Sequence, residues 1–254
     1  MSVAKITRDF VENIESAKLF TYDDIPCLNK TSAAIELSRL FKKGIIKKVS
    51  KGKFYKPKIR VFGEVAPNTN DKIKSYLKSD ETNSYETGAN SFRKLGLTTQ
   101  VSNETVIATN KPYRKVRIDN INLKFIPKRV DAKGDEIYLV QILDAIKDIN
   151  KIPATTPNDV VKYLKEIIKE ESLEKQNKLT KFALKYTPRT RAILGAIFKE
   201  IGNKNCAYEL KSTLNPMTNY KLKIEEDVIK KKKYWNFIWY CIMIKKFLMS
   251  LLKQ

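Results

Sequence analysis

Histidine is absent from the 254 residues, so no imidazole is available as a general base, a zinc ligand or the partner of a serine or cysteine nucleophile. The three cysteines, Cys27, Cys206 and Cys241, are far apart and form no CxxC pair. That pattern points to neither a disulfide framework nor a metal site, and it fits a reducing compartment. Carboxylates do cluster, as Asp23/Asp24, Glu170/Glu171 and Glu225/Glu226/Asp227. Consecutive helical residues do not face one another, so these read as solvated charge. No GxxxxGKS/T or GxGxxG loop occurs, nor a Gly-Ser turn followed by the spaced aspartates that would hold Mg²⁺ for nucleotidyl transfer. The expectation is a protein that is not an enzyme, with no catalytic residue, metal or cofactor.

What remains is ionic and hydrogen-bonding chemistry. With 50 Lys+Arg against 28 Asp+Glu the formal charge is +22, which suits a polyanionic partner. Of those 50 cations 41 are lysine, a bias that A+T-rich coding alone can produce, so the position of the charge says more than its total. Between Lys30 and Arg60 there are eleven basic residues and one acid, Glu36, the densest long stretch of charge in the chain.

The elements around that stretch follow from periodicity. Ile6, Phe10, Ile14 and Ala17 mark one face of a helix over residues 6–17. Phe20 to Pro26 reads as a turn and a short second helix, with Asp23 or Asp24 able to cap it. A third helix is expected from Thr31 as N-cap to Gly44, with Ala34, Leu37, Leu40 and Phe41 inward and Ser32, Glu36, Arg39 and Lys43 outward. Ile45 to Val49 and Phe54 to Pro57, flanking Ser50-Lys51-Gly52-Lys53, read as a hairpin. Three helices and a hairpin make a winged helix-turn-helix. A helix about 10–12 Å across fits a major groove about 12 Å wide, and a lysine-tipped hairpin can grip the neighbouring phosphates.

The DNA-binding set expected from this is Lys30, Thr31, Ser32, Glu36, Arg39, Lys43, Lys47, Lys48, Lys51 and Lys53. Lysines 47, 48, 51 and 53 suit phosphate contact, as flexible point charges. Ser32, Glu36 and Arg39 are the candidates for base edges. Arg39 lies three residues from Glu36, so an intrahelical ion pair competes with a guanine contact.

Pro67 and the Asn/Asp cluster up to Asp71 read as a hinge. Beyond it, helices are expected near Ile73–Leu77, Tyr85–Gly96, 137–149, 158–170, 178–186 and 189–201, the last introduced by Pro188 and closed by Gly202. Strands are expected at 106–109, 114–118 and 123–126. The fold class is α+β, with domains at 1–62, 63–228 and a basic, aromatic tail at 229–254. Arg189 and Arg191 sit at a helix start, where they oppose the helix dipole and an anionic partner would help. The tail's ten-residue apolar block, 235–244, is too short for the roughly 18–20 residues that span a bilayer. It can lie on an anionic membrane surface or pack against the second domain. The N-terminal stretch carries Asp9, Glu12 and Glu15 without a long apolar run, so a cytoplasmic location is expected.

The string Leu37-Ser-Arg-Leu-Phe-Lys-Lys-Gly44-Ile-Ile-Lys-Lys-Val49-Ser-Lys-Gly52-Lys-Phe-Tyr55-Lys-Pro57 resembles the AbiEi-type antitoxins of type IV toxin–antitoxin systems. So do Tyr85-Glu-Thr-Gly88, Leu95-Gly-Leu-Thr-Thr-Gln100, Arg191-Ala-Ile-Leu-Gly-Ala-Ile197 and Leu214-Asn-Pro-Met-Thr-Asn-Tyr220, in that order. The resemblance covers residues 5 to 236. It implies an abortive-infection antitoxin whose winged helix represses its own operon and whose C-terminal domain counters a nucleotidyltransferase toxin. The implied DNA site is the helix from Thr31 to Lys43 and the Lys47–Lys53 wing; no residue is carried over for toxin neutralisation. The implied partners are double-stranded operator DNA and the cognate toxin. The alternatives are an RNA-binding protein or a peripheral membrane-surface protein.

Overall fold

A computed structural model describes residues 2–61, 63–78, 84–118 and 121–238. The chain is α+β and divides into two compact units, residues 1–81 with 117–120, and residues 82–116 with 121–254. The first unit thus runs past residue 62, where the sequence suggests a boundary.

In the first unit, α1 (Val3–Asn13) starts at Ser2, whose side chain accepts from Lys5 N. It is followed by β1 (Leu19–Thr21) and a 3-10 turn, Tyr22–Asp24. That turn is capped by Thr21, not by either aspartate; Asp24 closes the capping box by accepting from Thr21 N at 2.7 Å. The next helix, α2 (Lys30–Lys42), is capped two residues earlier than expected, by Asn29 accepting from Ser32 N at 3.0 Å. Gly44, at φ +74°, ends it as expected.

The hairpin forms as β2 (Lys47–Ser50) and β3 (Lys53–Tyr55), and β1 pairs antiparallel with β3, so the sheet order is β1-β3-β2. Gly52 supplies the φ of +77° that its turn requires. Val11, Phe20, Ile25, Ala33, Leu37, Leu40, Ile46 and Phe54 form the core. The Phe20 ring stacks on Phe54 at 6.0 Å and receives Phe10 edge-on at 5.5 Å. The expected hinge is folded: β4 (Lys58–Arg60) and β5 (Gly63–Val65) pair antiparallel, and α3 (Thr69–Lys78) follows, with Asn68 Oδ1 accepting from Asp71 N at 2.8 Å.

The second unit begins with β6 (Tyr85–Thr87), where a helix was expected. Its side chains alternate buried, half-buried, buried, and it pairs antiparallel with β7 (Glu104–Thr109). Gly88, at φ +76°, then turns the chain into α4 (Ala89–Lys94); a Cβ there would meet Val106 Cγ2 at 3.0 Å. With β8 (Arg114–Ile118) and β9 (Ile121–Pro127) the sheet order is β6-β7-β9-β8, β9 running parallel to β7. The helices are α5 (Glu136–Lys147), α6 (Pro157–Glu170), α7 (Leu173–Ala183), α8 (Pro188–Glu200) and α9 (Lys204–Ser212). Pro at N1 and a threonine N-cap open both α6 and α8. The last elements are β10 (Tyr220–Lys221) and β11 (Phe237–Ile238), paired in parallel, with a 3-10 turn at Lys232–Trp235 between them.

The first ten residues of the expected tail therefore belong to this fold. Trp235 is 1% exposed, and a Cβ on Gly195 of α8 would lie 2.4 Å from its ring. The rest of the tail, 239–254, lies outside the described residues. Among the described residues no helix is long and apolar enough to cross a membrane.

Candidate nucleic-acid interface

The orientation of α2 is fixed by its buried stripe. Ala33, Glu36, Leu37 and Leu40 are covered, so at 100° per residue the opposite face is Thr31, Ile35, Ser38 and Lys42, all of them exposed. The residues expected to face outward, Ser32, Glu36, Arg39 and Lys43, form a different stripe about a quarter-turn away, on the flank toward α1. That flank lines a groove of about 300 Å³ with Ala4, Arg8, Glu12 and Ile45.

Glu36 is consequently no base reader. It is 7% exposed and paired with Arg8 at 3.5 Å and Arg39 at 3.2 Å. Burial of a carboxylate is stable here because two guanidiniums reach it from the solvent side. Arg39 itself stays exposed, as do Thr31 and Lys43, while Ser32 is half-buried with its amide engaged by Asn29. Lys30 is exposed and ion-paired with Asp23.

The hairpin lysines divide as sharply. Lys48 and Lys51 are exposed. Lys47 is exposed but bound to Glu64 of β5, which also accepts from the Tyr55 hydroxyl at 3.2 Å. The hydrogen bond from Lys47 holds the Glu64 carboxyl below the usual carboxylate range. Lys53 is 6% exposed: its ammonium donates to Ser75 Oγ at 2.9 Å and lies 3.4 Å from the centre of the Tyr76 ring, both on α3. It sits on the central strand, under α3, and is a structural cation rather than a phosphate contact.

Exposed cations thus remain on α2 (Arg39, Lys42), at its end (Lys43) and on the hairpin (Lys48, Lys51), beside the polar and apolar stripe Thr31-Ile35-Ser38. Ile35, Ser38 and Lys42 were missed from sequence. Their signal was the period itself, since each lies opposite Leu37 and Leu40.

Among its described residues the second unit holds one buried carboxylate, Asp144, 3% exposed. It accepts from Thr87 Oγ1 at 2.6 Å, Tyr186 at 2.9 Å and Tyr85 at 3.5 Å, with Lys147 Nζ at 3.4 Å. Burial, with the Asp144 charge, pushes both phenols well above their usual range. Every member is partnered, as in a polar network that ties α5 to β6 and the start of α8. Among the described residues no group of His, Cys, Asp and Glu could hold a metal.

Comparison with known proteins follows the same division. A family model described as a family of unknown function, DUF6088, matches residues 5–179, which takes in the helices and hairpin of the first unit and the sheet of the second. Among solved structures, the chain is similar to the RV2827C protein from Mycobacterium tuberculosis at a TM-score of 0.50 and 13% identity, over 98% of this chain and 94% of that one. At that identity the likeness concerns the fold alone. No curated protein matches.

Proposed function

The chain belongs to the DUF6088 family, and we propose that in it the first unit is a winged helix-turn-helix that binds double-stranded operator DNA. The observation that carries this reading is the solvent stripe of α2, Thr31-Ile35-Ser38-Lys42, flanked by Arg39 and Lys43 and followed by a hairpin that exposes Lys48 on β2 and Lys51 at its turn. Such a helix can enter a major groove, where hydroxyls bond base edges and an isoleucine packs on a thymine methyl. Arg39 and the lysines then neutralise phosphates and release counterions. Lys47 joins them if phosphate displaces Glu64.

The resemblance to AbiEi-type antitoxins extends the proposal: a cytoplasmic, non-enzymatic autorepressor that also counters a nucleotidyltransferase toxin through its second unit. Two of the resembling strings, Arg191–Ile197 and Leu214–Tyr220, fall in α8 and the loop up to β10, beyond the family match. The test has two arms. In gel shifts the chain should bind duplex from upstream of its own reading frame more tightly than structured RNA of equal length, and preference for the RNA would reject the DNA reading. Co-expression should rescue cells poisoned by a neighbouring nucleotidyltransferase-like frame, and failure to rescue would reject the antitoxin reading alone.

A further inference from the structure

The ribbon β4–β5 is a sheet of its own, outside the core of the first unit. All six residues of its strands are exposed, with Ile59 at 85% and Val61, at the turn, at 95%. A two-stranded ribbon alone is marginal in water, so its position depends on what ties it down. Before β4, Lys56 is pinned twice: its carbonyl accepts from Ala17 N and its ammonium donates to Glu12 O, both at 2.8 Å. Pro57 then fixes φ at the entry to β4. On β5, Glu64 Oε1 accepts from the Tyr55 hydroxyl at 3.2 Å while Oε2 takes Lys47. A phosphate that draws Lys47 away therefore leaves the Tyr55 tie in place. After β5, Pro67 is buried and Asn68 caps α3.

The ribbon is thus held at its base beside the β2–β3 hairpin and open to solvent beyond it. Its one acid, Glu64, is engaged at that base. Lys58 and Arg60 have no ion pair among the described residues. Ile59 lies opposite Glu64, so Lys58 and Arg60 project from the other face. Free cations alternating with uncovered aliphatic side chains suit a duplex, whose phosphates take the first and whose sugar walls take the second.

We propose that this ribbon is a second DNA-contacting arm, which lies along the minor groove next to the major groove entered by α2. Lys58 meets a phosphate, Arg60 reaches the groove floor and Val61 packs on the sugar walls. This rests on the reading of the first unit as a DNA-binding unit, and adds to it a groove and a base preference. Along one side of a duplex the grooves alternate, so the neighbour of a filled major groove is a minor one. There an arginine meets the acceptors A N3 and T O2, whereas a G·C pair sets the guanine amino group in its way. A·T pairs beside the α2 site are therefore preferred.

Hydroxyl-radical footprinting and affinity measurement of the full chain, on duplex from upstream of its reading frame, test this. The parent should protect a minor groove next to the α2 site. The Lys58→Ala/Arg60→Ala variant should lose that protection alone, with affinity lower by roughly tenfold. Val61→Ser should weaken binding to the same degree at every salt concentration, since it removes no charge. Replacing the flanking A·T pairs by inosine·cytosine, which lacks the amino group, should leave affinity unchanged, whereas G·C should lower it. All three side chains are exposed, so the variants should melt as the parent does. A double variant that footprints and binds like the parent overturns the arm and leaves the operator reading standing. Equal losses with inosine·cytosine and G·C overturn the minor-groove assignment, and a parent that protects no duplex overturns arm and operator reading together.

Discussion

The ammonium of Lys53 lies 3.4 Å from the centre of the Tyr76 ring and donates to Ser75 Oγ at 2.9 Å. A cation that reads from sequence as part of a phosphate-gripping wing is instead the bolt between β3 and α3. Lys53→Ala should cost about 1–3 kcal/mol of stability, through the lost cation–π contact and the charged hydrogen bond. Lys51→Ala, two positions away on the exposed turn, should change stability by less than about 0.5 kcal/mol. Urea unfolding of the two variants checks the contrast.

Base preference should follow the solvent stripe of α2 and not its flank. Ile35→Ala and Ser38→Ala are expected to relax preference at single base pairs, each by roughly 1–3 kcal/mol. Glu36→Gln should leave preference intact and lower stability, since Glu36 is buried between Arg8 and Arg39. Selection of bound duplexes from a randomised pool measures both.

Glu64 is ion-paired with Lys47, and on the proposed reading it competes there with DNA phosphate. Glu64→Gln removes the competing charge, and affinity for duplex DNA should rise several-fold at low salt and converge on the parent at high salt. A fall in affinity would mean that the Lys47–Glu64 pair is needed to shape the hairpin.

The fold shows why part of this was legible in the sequence and part was not. Gly44 and Gly52 announced the helix end and the hairpin turn, and Pro188 the start of α8, because positive φ and a missing amide are local demands. The spacing of Ser32, Glu36, Arg39 and Lys43 showed a stripe but not its direction. Direction depends on α1, which covers Glu36 from another segment of chain. Lys53 was misread for the same reason, as its partners lie more than twenty residues downstream. Trp235 was read as tail because nothing local announces that Gly195 leaves room for its ring.

That close approach makes its own prediction. Gly195→Ala would place a methyl 2.4 Å from the Trp235 ring. Overpacking of this kind costs about 1–3 kcal/mol. A lowered melting temperature together with a changed tryptophan emission is expected; an unchanged spectrum would show that Trp235 does not pack on α8.

Alkaline pH should weaken the second unit through Tyr85 and Tyr186, whose folded pKa values lie above the ordinary phenol value of about 10. Above that pH the unfolded chain releases these protons while the native chain keeps them. Their contribution is therefore fully present below about pH 10 and is lost as pH rises past it. Tyr186→Phe should reduce the slope of stability against pH in that range, a difference readable by thermal unfolding between pH 8 and pH 11.

The central claim is that α2 and the β2–β3 hairpin lie against DNA phosphates through their exposed cations. The most direct test is the salt dependence of duplex binding by the parent chain and by the Lys42→Ala/Lys48→Ala/Lys51→Ala variant. Each phosphate contact contributes roughly one unit to the slope of log affinity against log salt, so the triple variant should flatten that slope by about three. A slope unchanged in the triple variant would contradict the account.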